Sequence, residues 1–428
     1  MFSTKASLVN KETIWSGFLL LFFASLFFPF GQAIRYFFLG AFVLSSIFII
    51  KEKKYKPDLL KLSNPFLYIF FFLAYLVISF LLSDQLDGAR ALRIRLPLFL
   101  FPLVFLFIRI NRDRRDGLLL KFAIITTIFC FTCLNYAIFQ AIKKDDNAWL
   151  YNDALSYFIN QQSIYTSLLV NISIYVFAFF LIKKYHVIKH KFLLILTIAF
   201  LFIISYLLAS RIMMFQLYFT FLCLFIYIIF KQKKWFLGLA LLCGLLISVV
   251  TVYIFFPKTL NRFKELTITS YQYNNTAAES HYGGVLTKEQ WNGANFRLAA
   301  WKCGWELFTH YPVTGVGLGD KATTLNQLYK EKEFHFAIET GKNVHNNYLD
   351  ILYSTGVIGL LLFLLGWLFL PLIQFLKQKD ILAIIITITF ACAMITEVYF
   401  DRSLGVVLFG FFIPFLLSGT QTALPKNS

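Results

Sequence analysis

Continuous apolar runs of about 17 or more residues recur along almost the whole chain, and they limit the folds that it can adopt. A helix of that length spans the hydrocarbon core of a bilayer, and the runs do not alternate as the strands of a membrane barrel do. Only 14% of the residues are charged, against about 25% in a typical soluble domain. The sequence therefore predicts an all-α integral membrane protein.

The apolar runs predict about twelve transmembrane helices and one large hydrophilic loop. The loop covers residues 257–344, and it separates nine helices in residues 1–256 from three helices and a short cytoplasmic tail in residues 345–428. We expect amphipathic helices within the loop. The predicted spans lie near residues 14–30, 33–50, 66–82, 94–110, 118–140, 164–182, 191–208, 212–230, 235–256, 346–370, 381–397 and 403–418.

Basic residues gather in short clusters between the apolar runs, a pattern typical of cytoplasmic loops. With the N-terminus in the cytoplasm, the loops and tails on that side hold 22 Lys and Arg, the short external loops hold 8, and the large loop holds 10. This asymmetry predicts that the large loop lies outside the cytoplasm. The same clusters account for the net charge of +18, which therefore does not indicate nucleic-acid binding.

Arginine and lysine are distributed differently across the membrane in this topology. Most lysines fall inside, whereas 8 of the 12 arginines fall outside, at positions 35, 90, 93, 95, 211, 262, 297 and 402. Salt bridges to Asp84, Asp87, Glu397 or Asp401 would explain any single arginine. Because guanidinium groups bind phosphate oxygens in a bidentate manner, an anionic head group at the outer leaflet explains the whole set better.

The large loop contains a predicted helix over residues 296–308. One face of this helix carries Arg297, Trp301, Trp305 and Phe308. Such an aromatic face suits a membrane surface or the mouth of a helical bundle, so Arg297 is predicted to point towards protein or lipid head groups. The alternative is a simple interfacial arginine whose guanidinium snorkels into water.

His345 stands at the start of the tenth predicted span, where the large loop meets the membrane. A histidine there can be an ordinary polar interface residue. Histidine side chains nevertheless titrate near neutral pH, which makes them natural general bases. The N-terminus of a helix also disfavours the imidazolium form, so the ring is expected to be available as a proton acceptor.

Three further arginines open predicted spans on the external side. Arg211 begins the eighth span, and Arg93 and Arg95 begin the fourth. Each of them can simply anchor its own span. Together they can also line one anionic pocket.

Two other polar stretches have structural interpretations. Glu397, Asp401 and Arg402 lie between the last two spans and are predicted to form a local ion-pair cluster. Residues 315–320, GVGLGD, superficially resemble a dinucleotide fingerprint, but they follow a predicted helix instead of a strand and are expected to form a glycine-rich turn. Neither the histidines nor the cysteines have metal-ligand spacing, so we expect no metal.

Four stretches of the chain resemble one family, the O-antigen ligases and O-antigen polymerases of bacteria. They are ASR at 209–211, NFRLAAWKCGWELFTHYPVTGVGLG at 295–319, HNNYLDILYSTGVIGLL at 345–361 and EVYFDRSLG at 397–405. The layout of about twelve spans with one large, late external loop is similar to the family over the whole chain. The N-terminal third matches only in character.

The resemblance implies a GT-C-like helical membrane fold and an inverting glycosyltransferase of the bacterial inner membrane, with its active site facing the periplasm. It implies a glycan donor linked to undecaprenyl diphosphate, a lipid A–core or other glycan acceptor, and no cofactor or metal. By the same resemblance, Arg211 and Arg297 would hold the diphosphate and His345 would be the catalytic base, with Arg297 in the catalytic set. Arg93 and Arg95 are further candidates for diphosphate binding.

Three other functions stay open at this point. The chain could be an O-antigen or exopolysaccharide polymerase, which passes the glycan to another lipid-linked repeat, or a protein O-oligosaccharyltransferase. A transporter of lipid-linked sugars is a third possibility, although transporters tend to show paired repeats and ionisable groups at the membrane midplane. No residue separates a ligase from a polymerase.

Overall fold

The computed structural model describes residues 2–28, 32–53, 57–183, 190–277, 279–280 and 290–419, and regular structure in them is almost entirely helical. The first part contains α1 (Phe2–Ser25), α2 (Gln32–Lys53), α3 (Pro65–Leu81), α4 (Gln85–Ile94), α5 (Leu96–Phe107), α6 (Arg112–Lys144), α7 (Asn152–Leu155) and α8 (Ser163–Lys183). The second part contains α9 (Lys191–Leu208), α10 (Arg211–Ile226), α11 (Trp235–Phe255), α12 (Pro257–Lys264), α13 (Asn295–His310), α14 (Lys321–Glu331), α15 (His335–Glu339), α16 (Asn347–Phe363), α17 (Leu370–Lys377), α18 (Ile381–Ala393) and α19 (Ser403–Ser418).

Within the part of the chain that the structure describes, seven helical segments are long and apolar enough to cross a membrane, which confirms the prediction of an all-α membrane protein. They are Ala33–Lys51, Arg112–Lys144, Ser163–Lys183, Lys191–Leu208, Arg211–Lys231, Trp235–Phe255 and Asn347–Lys377. Four shorter apolar helices, Pro65–Leu81, Leu96–Phe107, Ile381–Ala393 and Ser403–Ser418, lie at other predicted spans. The number twelve and the division of the chain at residues 257 and 345 stay predictions, and loop residues 281–289 and the tail beyond 419 lie outside the described residues.

Aromatic rings join α19 to the N-terminal helices. The ring of Phe411 lies 5.3 Å from the rings of Phe23 and Phe101 and 5.5 Å from that of Phe105, in edge-to-face geometry. Such pairs stabilise a core beyond the area that they bury. Because α19 is buried along its length, the segment between α18 and α19 is held firmly against the bundle.

Charged residues at one end of the bundle come from segments that the sequence assigns to the cytoplasm. Arg115 is fully buried, and its guanidinium donates to Asp380 Oδ2 at 2.6 Å and to Asp116 Oδ1 at 2.7 Å. Helices α5 and α18 run from this end to the end that carries Arg95 and Glu397. Residues predicted to be internal and external therefore lie at opposite ends of the same helices.

The segment between α11 and α16 has a core of its own. Trp291 is buried there, with its ring 5.0 Å from Phe334 and 5.4 Å from Phe336. Helix α13 confirms the predicted helix at 296–308 and buries a face that includes Phe296 and Cys303. A β-carbon at Gly304 of α13 would contact Leu349 of α16 at 2.9 Å, so the two helices pack closely.

Helix α16 is interrupted at Gly356, where φ is +67°. The backbone groups that the interruption leaves unpaired bond to the glycine-rich turn: Val357 N donates to Pro312 O at 2.9 Å, and Gly317 N donates to Ser354 O at 3.0 Å. On its other side this turn meets the end of α3, where Gly319 N donates to Ser83 Oγ at 2.8 Å. A broken helix is tolerated in a membrane protein when neighbouring groups satisfy its backbone. The GVGLGD stretch is thus a structural turn, as predicted.

Candidate active site

His345 and Glu397 form a hydrogen-bonded pair at the end of the bundle that the sequence predicts to be external. Nδ1 of His345 lies 3.1 Å from Glu397 Oε2. The other ring nitrogen, Nε2, has no hydrogen-bond partner among the described residues. A carboxylate at Nδ1 favours the tautomer in which Nδ1 donates and Nε2 accepts. The ring is therefore arranged to take a proton at Nε2.

The backbone around α16 explains why His345 faces Glu397. Asn346 caps the helix by accepting from Leu349 N at 3.0 Å, and His345 precedes the cap with φ of +47°. The buried Asn347 ties the helix start to the α18–α19 segment, because its N–H donates to Met394 O at 2.9 Å and its Oδ1 accepts from Phe400 N at 3.1 Å. This linkage places Glu397 opposite the imidazole.

Glu397 is 5% exposed and is held as a carboxylate by its surroundings. Burial raises its pKa, but the hydrogen bond from His345 and the charges of His345, Arg297 and Arg402 outweigh burial and bring the pKa below its ordinary value. The second oxygen, Oε1, is buried and has no hydrogen-bond partner within the part of the chain that the structure describes. A charged Glu397 can both orient the His345 ring and stabilise its protonated form.

Arg297 reaches the same place from α13. Its Nε donates to Thr396 O at 3.2 Å, and its Nη1 donates to Gly293 O one turn earlier in the chain. The preceding residue, Phe296, packs its ring edge-to-face on His345, with the centroids 5.5 Å apart. One turn of helix thus supplies both the guanidinium and a hydrophobic wall for the imidazole.

Arg211 comes from a different helix and meets Arg297 at Gly293. A β-carbon at Gly293 would overlap Nη2 of Arg211 and lie 2.9 Å from Nη1 of Arg297. Two guanidinium groups so close together repel each other unless an anion lies between or beside them. The absence of a side chain at Gly293 is what leaves room for both.

Helix α12 fixes Arg211. Nη1 of Arg211 donates to Arg262 O at 3.0 Å and to Glu265 Oε2 at 3.1 Å. Ala209 has φ of +47° and ends α9, so Arg211 opens α10 directly after a sharp change of direction. Arg262 donates to Ala209 O at 3.0 Å and supports that change of direction. The ASR stretch at 209–211 therefore separates α9 from α10 and places Arg211 at the start of α10.

Comparison with known protein families bears directly on this arrangement. Residues 195–364 match the family model described as O-antigen ligase. Over these residues the chain is similar to the O-antigen ligase family, which supports the resemblance to O-antigen ligases and polymerases. No curated protein matches the chain. The matched residues include Arg211, Arg297 and His345, whereas Glu397 lies beyond them.

The match supports a function of the O-antigen ligase or polymerase type and a glycosyltransferase-like enzyme. It implies lipid-linked glycan substrates in a membrane, which agrees with the apolar helices. The arrangement suits such a substrate chemically, because paired guanidinium groups bind phosphate oxygens and a carboxylate-supported imidazole accepts a proton.

The two other arginines predicted to bind diphosphate lie elsewhere. Arg95 is 2% exposed, and its Nη2 lies 3.1 Å from Asp401 Oδ1. Lys321 joins this buried cluster with its Nζ 2.7 Å from Asp350 Oδ2 and 2.6 Å from Asp401 Oδ1. Arg93 is exposed on α4. Among the described residues, no hydrogen bond or ion pair joins Arg93 or Arg95 to Arg211 or Arg297.

The prediction of a local ion-pair cluster between the last two spans is wrong in its pairing. Glu397 pairs with His345, and Asp401 pairs with Arg95 and Lys321. Nearness in sequence suggested the wrong partners because the segment turns these carboxylates towards different elements. The signal that was missed is that Glu397 opens one of the four stretches resembling the family.

Proposed function

We propose that the chain is an O-antigen ligase that transfers a glycan from undecaprenyl diphosphate to lipid A–core at the periplasmic face of the bacterial inner membrane. The observation that carries the proposal is the meeting of Arg211 and Arg297 at Gly293, next to the His345–Glu397 pair. The family match supports the reaction type. The choice of a ligase rests on the family description and not on a particular residue.

The reaction would be a single displacement at the anomeric carbon. The acceptor hydroxyl attacks C1 of the donor sugar while the C1–O bond to the lipid diphosphate breaks, and the diphosphate leaves with the bonding electron pair. The proton of the hydroxyl passes to Nε2 of His345, which contributes about 10²–10⁴-fold for a positioned base. Attack opposite the leaving group inverts the anomeric configuration. Glu397 acts as a positioning residue that stabilises the imidazolium.

Arg211 and Arg297 would stabilise the charge that develops on the diphosphate. A preorganised donor at a developing oxyanion contributes about 10²–10³-fold in rate. The donor carries its activation in its own diphosphate bond, so the proposed reaction requires no nucleotide, metal or cofactor. Arg93 and Arg95 are left out of the proposed contacts because one is exposed on α4 and the other is paired with Asp401.

A deletion strain tests the function directly. Lipopolysaccharide is extracted and separated on a gel beside a blot for lipid-linked glycan. A ligase predicts loss of the whole ladder with polymer accumulating on undecaprenyl diphosphate, whereas core carrying a single repeat unit would indicate a polymerase. An unchanged lipopolysaccharide pattern would reject both and direct the search to protein glycosylation or another exported polymer.

Variants expressed in the deletion strain test the site. His345→Ala and Arg297→Ala should fail to restore the ladder while reaching wild-type levels in the membrane. His335→Ala and Arg90→Ala are matched controls, because both side chains are exposed and lie outside the proposed site. A normal ladder from His345→Ala would reject the assigned base.

A further inference from the structure

A basic cavity, separate from the site of Arg211 and Arg297, lies at the end of the bundle that is predicted to be external. Its volume is about 260 Å³, and it is bounded by the start of α2, the turn before α8 and the start of α19. Neither Arg211 nor Arg297 lines it. Its lining residues are Phe28, Arg35, Ile159, Asn160, Gln161, Gln162, Tyr165, Arg402, Ser403 and Leu404.

Arg35 is the unusual member of this lining. Its side chain is buried, with the residue 5% exposed. Among the described residues, no group accepts a hydrogen bond from its guanidinium, and no carboxylate forms an ion pair with it. The hydroxyl of Tyr165, 2% exposed, also lacks a hydrogen-bond partner. A buried charge without a counter-charge is strongly unfavourable, so the cavity is built to receive an anion.

The charged residues that line the cavity, Arg35 and Arg402, are both positive. Arg402 is exposed at the rim and has no ion-pair partner among the described residues. Among the described residues, no Asp or Glu lines the cavity, so two arginines meet neutral amides and hydroxyls beside three apolar side chains. Amide and hydroxyl side chains suit sugar hydroxyls, whereas the guanidinium groups suit a phosphate or carboxylate.

The cavity has room for more than a single ion. A water molecule takes up about 30 Å³ in the liquid, so a volume of about 260 Å³ holds a polyatomic group rather than one solvent molecule. The lining of amides and hydroxyls favours a charged sugar over a lipid head group on an apolar chain.

The cavity adjoins the His345–Glu397 pair. Tyr165 lines the cavity, and its ring lies 5.1 Å from that of Tyr399, two residues after Glu397. The charge of Arg402 at the rim also helps to lower the pKa of Glu397. A group bound in the cavity would therefore lie on the side of Glu397, whose Oε2 contacts the proposed base.

We propose that this cavity binds a phosphate or carboxylate group on the acceptor sugar. This assignment rests on the proposed transfer reaction, in which Arg211 and Arg297 are occupied by the donor diphosphate and the acceptor needs a separate site near His345. Arg35 supplies the buried charge, Arg402 closes the rim, and the amide side chains bind the sugar hydroxyls. The enzyme then selects acceptors that carry a negative charge next to the accepting hydroxyl.

Ligand-observed NMR with the full-length protein in detergent tests the assignment. The probes are glucose 6-phosphate, glucuronate and neutral glucose. Binding is measured in an Arg211→Gln background, so that the donor pair contributes little. We expect one or both charged sugars to bind and glucose not to bind, and the preferred probe distinguishes a phosphate from a carboxylate.

Substitutions locate the binding. Adding Arg35→Gln should raise the Kd of the charged sugar about tenfold or more, as expected for the loss of a charge-assisted hydrogen bond. Arg402→Gln should act in the same direction, and because Arg402 is exposed this variant is informative even if Arg35→Gln fails to fold. Arg90→Gln, an exposed arginine of α4, should leave the Kd unchanged.

Three results would overturn the assignment: equal binding of glucose, no effect of either substitution, or no binding of a charged sugar at all. Displacement of the sugar by phosphatidylglycerol would assign the cavity to a lipid head group instead. The readout does not require glycan transfer. If binding depends on Arg35 but the protein with Arg211 intact transfers no glycan, the proposed function is rejected and the anion site is kept. If that protein transfers glycan but no charged sugar binds through Arg35, the anion site is rejected and the proposed function is kept.

Discussion

Two charged clusters at the end of the bundle predicted to be external differ in how their charges are arranged. In the first, Lys321 and Arg95 face Asp350 and Asp401, and all four are held within ion pairs. In the second, Arg211 and Arg297 meet at Gly293, and the nearest carboxylates are already bound, Glu265 to Arg211 and Glu397 to His345.

The difference separates a structural role from a binding role. The first of the two clusters (the lysine cluster) has two charges of each sign. It joins α5, α14, α16 and the segment before α19, so it holds the large loop on the bundle. At the arginine site, two guanidinium groups from different helices converge on one point beside Gly293, an arrangement that suits the proposed ligand with several phosphate oxygens. Cations that converge on carboxylates therefore indicate a structural role in this protein, whereas cations that converge on each other support the proposed binding role.

Replacing the proposed base should have the largest effect on activity. His345→Ala removes the proton acceptor, and transfer in purified protein should fall by about 10²–10⁴-fold with the melting temperature little changed. The comparison protein is His335→Ala, which alters an exposed histidine of the large loop. Equal activity of the two variants would contradict a catalytic role for the imidazole.

Disrupting the lysine cluster should instead lower the stability of the protein and the amount that is folded in the membrane. Lys321→Ala leaves two buried carboxylates with one arginine, which costs about 3–5 kcal/mol for a buried pair. Membrane abundance and melting temperature should both drop, whereas Lys330→Ala, on the exposed face of α14, should behave as wild type.

Charge balance can be tested separately within that cluster. The double variant Lys321→Met with Asp401→Asn removes one charge of each sign and should recover part of the stability lost in Lys321→Ala. If the double variant is no more stable than Lys321→Ala, the cluster does not act through its charge balance.

A methyl group at the meeting point of the arginines should affect activity more than stability. Gly293→Ala would displace the flexible tips of Arg211 and Arg297, and a shift of about 1 Å in a binding group can cost up to about 100-fold in rate. We expect transfer to fall about 10–100-fold with normal membrane levels. In Gly117→Ala the added carbon meets nothing within 4 Å, so activity should be unchanged. Full activity of Gly293→Ala would show that the two guanidinium groups need not converge.

The smallest expected effect is on stability at acidic pH. The pKa of Glu397 is lower in the folded protein than its ordinary value of about 4.3. Its contribution to stability is therefore present above that value and is lost as the pH falls through the folded pKa. The melting temperature of wild type should exceed that of Glu397→Gln from pH 7 down to about pH 4.3, and the gap should close as the pH falls further, through the folded pKa of Glu397. A gap that stays constant below that pH would contradict the charged Glu397–His345 pair.

Local patterns predicted much of the fold and part of the site. Continuous apolar runs located the membrane helices, and the spacing of Arg297 among aromatic residues located α13. The order of charged segments agreed with the two ends of the bundle. These predictions succeed because hydropathy and helical periodicity are properties of neighbouring residues.

Residue partners were harder to predict. Arg95 was a candidate for diphosphate binding, yet it lies against Asp401, and Glu397 was assigned to an ion pair with its sequence neighbours, yet it binds His345. In both cases the partner comes from an element far away in the chain. The glycine-rich turn was recognised, but its role in satisfying the interrupted backbone of α16 at Gly356 was not.

The sequence by itself determined that this protein is a helical membrane protein, which segments are apolar, and which arginines and histidine stand at helix boundaries. Only the tertiary structure decided which of these residues meet. Arg211 and Arg297 converge because α10 and α13 both approach Gly293. Arg35 lies buried, with no counter-charge among the described residues, because α2, α19 and the turn before α8 close around it. Such proximity depends on how helices far apart in the chain pack together, and the pattern of neighbouring residues does not determine that packing.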